Sequence, residues 1–241
     1  ENIDFILVGS KKNLQNTYAY LKSLGIKNVA NPKKLDIHDL DISSSENNPK
    51  SSYGNSSFYY LIKAIEIVKQ SPNSALVTGP ICKKSWSLAG HHYSGQTEVL
   101  AKQCGVKNVG MLFTAKSPIT GWRFNTILAT THIPLFEVPK KLNMELIHSK
   151  LDLLKEFCKT YIEKPSFKVA GLNPHAGEDG ILGSEEKDWL NESLIIWNEK
   201  NKDIKLLGPL SPDSCWNSSA KAWRHKEAMK HDGILAMYHD Q

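Results

Sequence analysis

The chain has 241 residues, of which 40% are hydrophobic and 23% are charged. This composition is typical of a folded globular protein and excludes disordered, collagenous and coiled-coil chains. The longest apolar runs, residues 4–9 and 233–238, are far shorter than the roughly 20 residues that a membrane helix needs, so we expect no membrane partner. The length suits one large α/β domain or two small ones.

The net charge of +5 is the feature that suggests a nucleic-acid partner. Arginine, which binds phosphates and guanines through paired hydrogen bonds, occurs only as Arg123 and Arg224. The lysines are interspersed with Asp and Glu instead of forming a basic stripe, so we expect no nucleic-acid binding.

Four widely spaced cysteines form no Cys-x-x-Cys pair and favour a reducing, cytoplasmic location. The chain begins at Glu1 without a signal-peptide pattern and stops at Gln241, directly after an apolar strand pattern. We therefore expect that segments at both ends of the natural protein are missing from this sequence.

The first part of the chain alternates apolar runs with helical patterns. In chain order, the patterns predict a strand at 4–9, a helix at 13–24, a long polar loop at 31–57, a helix at 58–68 and a strand at 75–78. Gly25 is placed to end the first helix, and Ser56 or Ser57 to cap the second.

The rest of the chain continues the alternation. The patterns predict a helix at 97–104, strands at 109–113 and 125–130, a helix at 147–158, a strand at 167–172, a helix at 185–200 and strands at 204–207 and 233–237. Strands that alternate with helices predict an α/β fold with a mainly parallel sheet that is covered on both faces.

Three histidines, His132, His175 and His239, each follow directly on an apolar strand pattern. In open α/β sheets ligands bind beyond the carboxyl ends of the strands, and three imidazoles at one such edge suit a metal site. Asp213, which follows another strand, can add a carboxylate there. The alternative is that these histidines are solvent-facing or bonded locally, because the spacing of a His-Glu-x-x-His motif is absent.

Three short segments could bind an anion. The glycine-rich loop 173–183 and the turn Thr78-Gly-Pro80, followed by Lys83, can bring N–H groups and a cation to a phosphate. Gly95-Gln-Thr-Glu98 offers side-chain donors near the positive end of a helix. The alternatives are turns that need glycine, a solvated lysine and a capping role for Thr97. No G-x-G-x-x-G motif supports a conventional Rossmann dinucleotide site.

Six segments between residues 75 and 241 together resemble the 4-hydroxythreonine-4-phosphate dehydrogenase family of pyridoxal phosphate biosynthesis. They are Thr78-Gly-Pro-Ile-Cys-Lys83, Ala89-Gly90 with Gly95-Gln-Thr-Glu98, Thr130-Thr-His-Ile-Pro-Leu135, Gly171-Leu-Asn-Pro-His-Ala-Gly-Glu178, Gly208-Pro-Leu-Ser-Pro-Asp213 and Leu235-Ala-Met-Tyr-His-Asp-Gln241. The segments at 173–178 and 236–241 are highly specific strings. Residues 1–74 match only loosely.

The resemblance implies roles for the candidate residues. His132, His175 and His239 would bind one divalent metal ion (Zn, Mg or Co), and Gln96 and Thr97 would contact the phosphorylated substrate. Lys83 is a further substrate-binding candidate. Asp213 is the candidate for tuning the metal or accepting a proton.

The resemblance also implies two α/β/α domains like those of isocitrate dehydrogenase, which we place at residues 1–96 and 97–241, the second with the metal site. It implies a homodimer that shares active sites in the interdomain cleft. This fold binds NAD or NADP without the Rossmann glycine motif, so the missing motif does not argue against it.

The implied reaction is the NAD(P)-dependent oxidation of the secondary alcohol of 4-phosphooxy-L-threonine. The resulting β-keto acid loses CO2 and leaves 3-amino-2-oxopropyl phosphate. Two alternatives stay open: a metal-dependent hydrolase of a phosphorylated metabolite, which three histidines and a carboxylate would suit equally, and a truncated metal-binding chain without activity.

This sequence departs from the family pattern in two respects. Gln96 stands where the family usually has His, and a glutamine donates a hydrogen bond but carries no charge. The family also has a strand and a Gly-rich turn before the equivalent of Asp4, and a Lys, an Asn and an Arg that contact substrate beyond the equivalent of Gln241.

Overall fold

The computed structural model describes residues 3–42, 49–228 and 230–241. Their contacts divide the chain into two compact units, Glu1–Lys107 and Asn108–Gln241. The division therefore falls later than the expected boundary at 96/97. The reason is helix α4 (Gln96–Cys104), whose buried Val99 packs into the apolar cluster of the first unit.

The first unit contains a parallel pair of strands, β1 (Ile6–Gly9) and β2 (Asp36–Asp39). Helix α1 (Lys11–Ser23) begins where the Ser10 hydroxyl accepts a hydrogen bond from the Asn13 amide, at 3.2 Å. It ends before Gly25, which has a φ of 77°. The predicted first strand and helix are therefore confirmed, each displaced by about a turn or less.

The predicted loop at 31–57 is wrong for most of its described length, and residues 43–48 lie outside the described residues. The segment holds a 3-10 turn, strand β2 and the start of helix α2 (Pro49–Gln70). The sequence pattern did not indicate these elements because the segment is polar. Strand β2 has no fully buried residue, so it lacks an apolar run. The first turns of helix α2 include the small residues Ser51, Ser52 and Gly54. At Gly54 a Cβ would lie 2.0 Å from the Ser85 carbonyl of α3 (Lys83–Leu88), so the two helices approach closely there.

The predicted strand at 75–78 pairs with no other strand among the described residues. Its apolar pattern is present, but a strand is stabilised by hydrogen bonds to a neighbour. Val77 is 90% exposed, whereas Leu76 packs against the apolar cluster of the first unit.

The second unit is built on a five-stranded sheet with the order β3-β4-β7-β5-β6. The strands are β3 (Leu112–Lys116), β4 (Arg123–Leu128), β5 (Ser166–Ala170), β6 (Lys205–Leu210) and β7 (Gly233–Ala236). All neighbours are parallel except β3 and β4. Strand β3 lies further along the chain than the expected 109–113. Gly110 precedes it, and a Cβ there would lie 2.9 Å from a methyl of Ile127.

Helices cover both faces of this sheet. They are α5 (Val138–Lys141), α6 (Met144–Lys159), α7 (Asn191–Lys200), α8 (Pro212–Cys215) and α9 (Asn217–Arg224). The amide side chain of Asn143 caps α6 by accepting from the Leu146 amide at 2.9 Å, as its residue type favours. The mainly parallel, doubly covered sheet that the alternation predicts is confirmed.

The core of the second unit forms where α6 lies on the sheet. Leu151 and Leu154 are fully buried in one cluster with Phe167 and Leu235, and each such side chain contributes about 1.5–3 kcal/mol of burial free energy. Gly233 permits the contact, because a Cβ there would lie 2.7 Å from a Leu154 methyl. None of the helices within the described residues is long and apolar enough to cross a membrane.

Candidate functional site

Three neighbouring strands of the second unit, β4, β7 and β5, run parallel, so their carboxyl ends meet at one edge of the sheet. The loops that follow them carry His132, His239 and His175, respectively. The placement that the sequence predicts for the three histidines is therefore present. All three side chains are exposed and accessible to a ligand.

Hydrogen bonds tie these three loops together. The buried Thr130 hydroxyl donates to the Met237 carbonyl at 2.7 Å, which links the loops after β4 and β7. Gln241 accepts from the Met237 amide at 2.7 Å and donates to the Gly171 carbonyl at 2.5 Å, which links the loops after β7 and β5. The positions of the loops are thus mutually fixed at this edge.

His132 and His239 lie side by side, with ring centroids 5.3 Å apart and ring planes tilted by 38°. Nδ1 of His239 is 3.1 Å from a carboxylate oxygen of Asp240, and Phe113 packs edge-on against the same ring. A carboxylate on Nδ1 orients an imidazole so that Nε2 is the nitrogen left for a ligand.

His175 stands on an unusual backbone. In the turn Pro174–Gly180 four residues other than glycine have φ between 45° and 57°, namely His175, Ala176, Glu178 and Asp179. This left-handed conformation costs about 1–2 kcal/mol for each such residue, so the surroundings must hold it in place. Gly177, Gly180 and Gly183 also have positive φ, as expected if the loop needs its glycines for turns.

The structure brings two of the three predicted metal ligands together and leaves the third apart. His175 lies 3.9 Å from a carboxylate oxygen of Glu178 and has a 62% exposed side chain. Within residues 3–42, 49–228 and 230–241, no group of three or more His, Cys, Asp and Glu side chains is close enough to hold a metal ion. The described residues therefore place two of the candidate histidines side by side and the third on the adjoining loop.

Glu186, which the sequence did not single out, holds the loop of His175. Its Oε1 accepts from the amides of Leu172 and Asn173 at 2.6 and 2.8 Å, and its Oε2 accepts from the Asn173 side chain at 2.8 Å. The residue begins a π-helical turn, Glu186–Leu190, and is only 2% exposed. The sequence signal is weak, because two glutamates before an apolar helix are typical of an ordinary acidic first turn.

Asp213 lies at the start of α8 and is exposed. The Ser211 hydroxyl, which donates to its carboxylate, is the main reason why the pKa of Asp213 is lowered, and the nearby charge of His175 lowers it further. A carboxylate with a lowered pKa stays anionic and is a weak base. This electrostatic environment favours charge tuning at His175 over proton acceptance.

In the first unit, Gln96 joins two of the anion-binding candidates. Its side-chain amide donates to the Gly79 carbonyl at 2.8 Å, so the first turn of α4 is bound to the turn 78–80. Thr97 is exposed in the same first turn, and the N-cap of α4 is Gly95. Lys83 is the exposed first residue of α3.

All four cysteines are free thiols, with Cys82 and Cys104 exposed and Cys158 and Cys215 buried. A hydrogen bond from the Ser85 hydroxyl is the main cause that lowers the pKa of Cys82. Burial raises the pKa of Cys158 to about 11.

The family model of the pyridoxal phosphate biosynthetic protein PdxA matches residues 1–241. The chain belongs to this family. It is 44% identical over 240 residues to the 4-hydroxythreonine-4-phosphate dehydrogenase of Synechococcus sp. (strain RCC307), covering 98% of this chain and 73% of that protein. It is 41% identical over 243 residues to the enzyme of the same name from Thermosynechococcus vestitus, covering 98% and 71%.

A solved structure supports the fold of this PdxA-family chain. The crystal structure of 4-hydroxythreonine-4-phosphate dehydrogenase from Klebsiella pneumoniae superposes with a TM-score of 0.78 at 24% sequence identity, over 98% of this chain and 71% of that one. The family model and the two relatives confirm the resemblance that the six sequence segments indicated. In this PdxA-family chain, the segments around His132, His175 and His239 coincide with the hydrogen-bonded loops at the carboxyl edge of the sheet.

Proposed function

We propose that the chain catalyses the NAD(P)-dependent oxidation of 4-phosphooxy-L-threonine to a β-keto acid that decarboxylates to 3-amino-2-oxopropyl phosphate. Membership of the PdxA family supports a dehydrogenase with a nicotinamide cofactor. The observation that carries the proposal is the meeting of three histidine-bearing loops at the carboxyl ends of β4, β7 and β5. That edge is where α/β enzymes bind their ligands.

His132, His175 and His239 would hold one divalent metal ion. The adjacent rings of His132 and His239, 5.3 Å apart, fit two ligands of one ion, and His175 is on the loop that Gln241 ties to theirs. Imidazole nitrogens suit Zn or Co better than Mg, which prefers oxygen ligands. When bound, such an ion would lower the pKa of a coordinated alcohol and stabilise the developing alkoxide.

The anionic carboxylate of Asp213 supports this site electrostatically. The Ser211 hydroxyl bonds to it and, with a smaller effect of the His175 charge, lowers its pKa, so it is a weaker base than an ordinary carboxylate. A negative charge near a metal ligand would offset part of the charge of the ion. We therefore assign Asp213 to tuning the site rather than to accepting the proton.

Gln96, Thr97 and Lys83 would bind the phosphate group of the substrate. One amide N–H of Gln96 is used by the Gly79 carbonyl, and its second N–H is available to a ligand. The Thr97 hydroxyl stands at the positive end of the α4 dipole, where an anion is favoured. Lys83 adds an exposed cation.

The homodimer and the cytoplasmic location are also proposals. The four free thiols suit a reducing compartment. No residue of the chain is assigned to the nicotinamide cofactor.

The decisive experiment incubates the purified protein with 4-phosphooxy-L-threonine, NAD or NADP, and Zn²⁺, Co²⁺ or Mg²⁺. We expect the absorbance of reduced nicotinamide to rise together with CO2 release. Release of inorganic phosphate without nicotinamide reduction would instead identify a hydrolase. Metal uptake without either product would identify a binding protein. The variant H239A should abolish turnover, whereas H225A, which removes another exposed histidine, should leave it unchanged.

A further inference from the structure

The carboxylate of Glu186 is buried beneath the loop that carries His175. Its oxygens accept three hydrogen bonds, from the Leu172 and Asn173 amides and from the Asn173 side chain. All three donors are neutral N–H groups of the strand end and the loop. The bonds of Glu186 therefore reach from the end of β5 to the residue two positions before His175.

No oppositely charged partner among the described residues accounts for the burial of this carboxylate. None of the ion pairs formed by the described residues includes Glu186, although the side chain is almost fully buried. A buried charge is unfavourable unless hydrogen bonds compensate it, and here the compensation comes entirely from the loop. The buried side chain of Glu186 thus fixes the backbone at 172–173 through these hydrogen bonds.

Three glycines of the loop leave the space that Glu186 and its partner Asn173 occupy. A Cβ on Gly171 would lie 3.0 Å from Glu186 Oε1, and one on Gly177 would lie 2.9 Å from Oε2. A Cβ on Gly183 would lie 2.3 Å from the side chain of Asn173, the hydrogen-bond partner of Glu186. The left-handed turn therefore closes over this carboxylate on both sides of His175.

We propose that Glu186 is a positioning residue that presents His175 at the carboxyl edge of the sheet. The inference rests on the proposed function insofar as His175 is taken as a metal ligand. Glu186 acts only through the loop, because its own carboxylate is used by Leu172 and Asn173. It anchors residues 172 and 173, from which the chain enters the left-handed turn.

The test compares E186Q with E192Q, which removes an exposed carboxylate from α7. E186Q keeps the shape of the side chain but sets an N–H group against the N–H donors of the loop. We expect hydrogen exchange of the Leu172 and Asn173 amides to accelerate at least about tenfold in E186Q, with the amides of β5 unaffected. E192Q should match the wild type. Unchanged exchange at 172–173 in E186Q would overturn the inference.

The second arm measures Zn²⁺ affinity by competition titration in wild type, E186Q, H175A and E186Q/H175A. We expect E186Q alone to weaken binding by roughly 10- to 100-fold. In the H175A background E186Q should change affinity by no more than about twofold, since the two substitutions act through one ligand. An equal loss with and without His175 would show a merely structural role and overturn the inference.

Failure of the proposed metal site gives a different result. Wild-type protein that binds no Zn²⁺ would overturn that site, and the exchange of the Leu172 and Asn173 amides would then decide alone whether Glu186 fixes the loop. If E186Q does not fold, E186D replaces it in both arms, because the side chain that is one methylene shorter draws the carboxylate back from the Leu172 and Asn173 amides.

Discussion

Gln241 holds Gly171 from across the sheet edge: its side-chain amide donates to the Gly171 carbonyl at 2.5 Å while its carbonyl oxygen accepts from the Met237 amide at 2.7 Å. Gly171 begins the loop of His175, and Met237 begins the loop of His239. One side chain therefore sets the spacing between two candidate metal ligands. The Gly171 amide in turn donates a hydrogen bond to the Leu210 carbonyl. This bond extends the same network towards Asp213.

We expect Q241A to lower the free energy of unfolding by about 1–3 kcal/mol, because two hydrogen bonds of roughly 1 kcal/mol are lost and the amide of buried Met237 and the carbonyl of buried Gly171 lose this partner. Urea denaturation measures the change. Q70A is the matched control, since Gln70 is exposed at the end of α2. Equal stability of Q241A and Q70A would mean that the bridge contributes nothing to the edge.

Removal of His239 tests the metal site directly. We expect H239A to lose stoichiometric Zn²⁺ or Co²⁺ after dialysis, because one of two adjacent imidazoles is removed and the ion keeps too few protein ligands. Elemental analysis of the dialysed protein gives the metal content. H225A removes an equally exposed histidine and should retain the wild-type content. Retention of the metal by H239A would contradict the assignment.

The strand ends of the second unit could be predicted from the sequence because periodicity and burial agree there. Strand β7 is buried at every position, and the apolar face of α6 covers the sheet, so both patterns are clear. Three polar His residues directly after such strands are then conspicuous. Parallel pairing of β4, β7 and β5 converts this sequence pattern into spatial proximity.

The other features depend on contacts that no local pattern contains. Strand β2 is polar because its described residues stay partly exposed, and it forms only because β1 lies beside it. The left-handed turn at His175 opposes the intrinsic preference of four of its residues, and the residues just before it are bonded to the carboxylate of Glu186, which is distant in the sequence. A single sequence shows neither the partner strand nor the carboxylate.

Substitution of two glycines in the left-handed turn distinguishes the cost of backbone strain from the cost of steric overlap. Both Gly177 and Gly180 have positive φ, but a Cβ on Gly177 would lie 2.6 Å from the Gly183 carbonyl, whereas one on Gly180 meets only a Lys187 carbon at 3.8 Å. We expect G180A to destabilise the protein by about 1–2 kcal/mol from conformation alone. G177A should cost at least about 2 kcal/mol more, as thermal and urea unfolding will show. Equal losses would mean that the turn tolerates a side chain towards Glu186.

His231 makes stability depend on pH. Burial, with a smaller effect of the Lys168 charge, lowers its pKa to about 4, and its Nε2 is 3.1 Å from the Ser219 hydroxyl. Above about pH 6.5 the imidazole is neutral in both states, so its full contribution is present. As the pH falls towards 4, only the unfolded chain takes up the proton, and stability on the order of 3 kcal/mol is lost.

The variant H231Q isolates this effect, because its side chain cannot titrate. We expect the free energy of urea unfolding to fall less steeply between about pH 7 and pH 4.5 in H231Q than in the wild type. The difference between the two slopes reports the titration of His231, because all other titratable groups are common to both proteins. Parallel pH profiles would show that His231 keeps its ordinary pKa in the folded chain.

Gln96 provides a test of the phosphate subsite. We expect Q96H to lower KM for the phosphorylated substrate by about 2- to 30-fold at about pH 6, since a charge-assisted hydrogen bond of about 1.5–3 kcal/mol replaces a neutral one of about 1 kcal/mol. The value of kcat should stay within a few-fold, because the phosphate is held equally in the ground and transition states. An imidazole can also donate to the Gly79 carbonyl, as the amide of Gln96 does at 2.8 Å, so the turn 78–80 should keep its position.

The pH dependence of that variant decides the interpretation. The advantage of Q96H over the wild type should shrink as the pH rises from about 6 to about 8, because the imidazolium loses its proton near pH 6.5. Steady-state kinetics of both proteins at the two pH values measure it. T97V, which removes the neighbouring hydroxyl from the same first turn of α4, should raise KM at both pH values alike, since a hydroxyl does not titrate in this range. A KM of Q96H that is unchanged or higher at the lower pH would mean that position 96 does not face the phosphate.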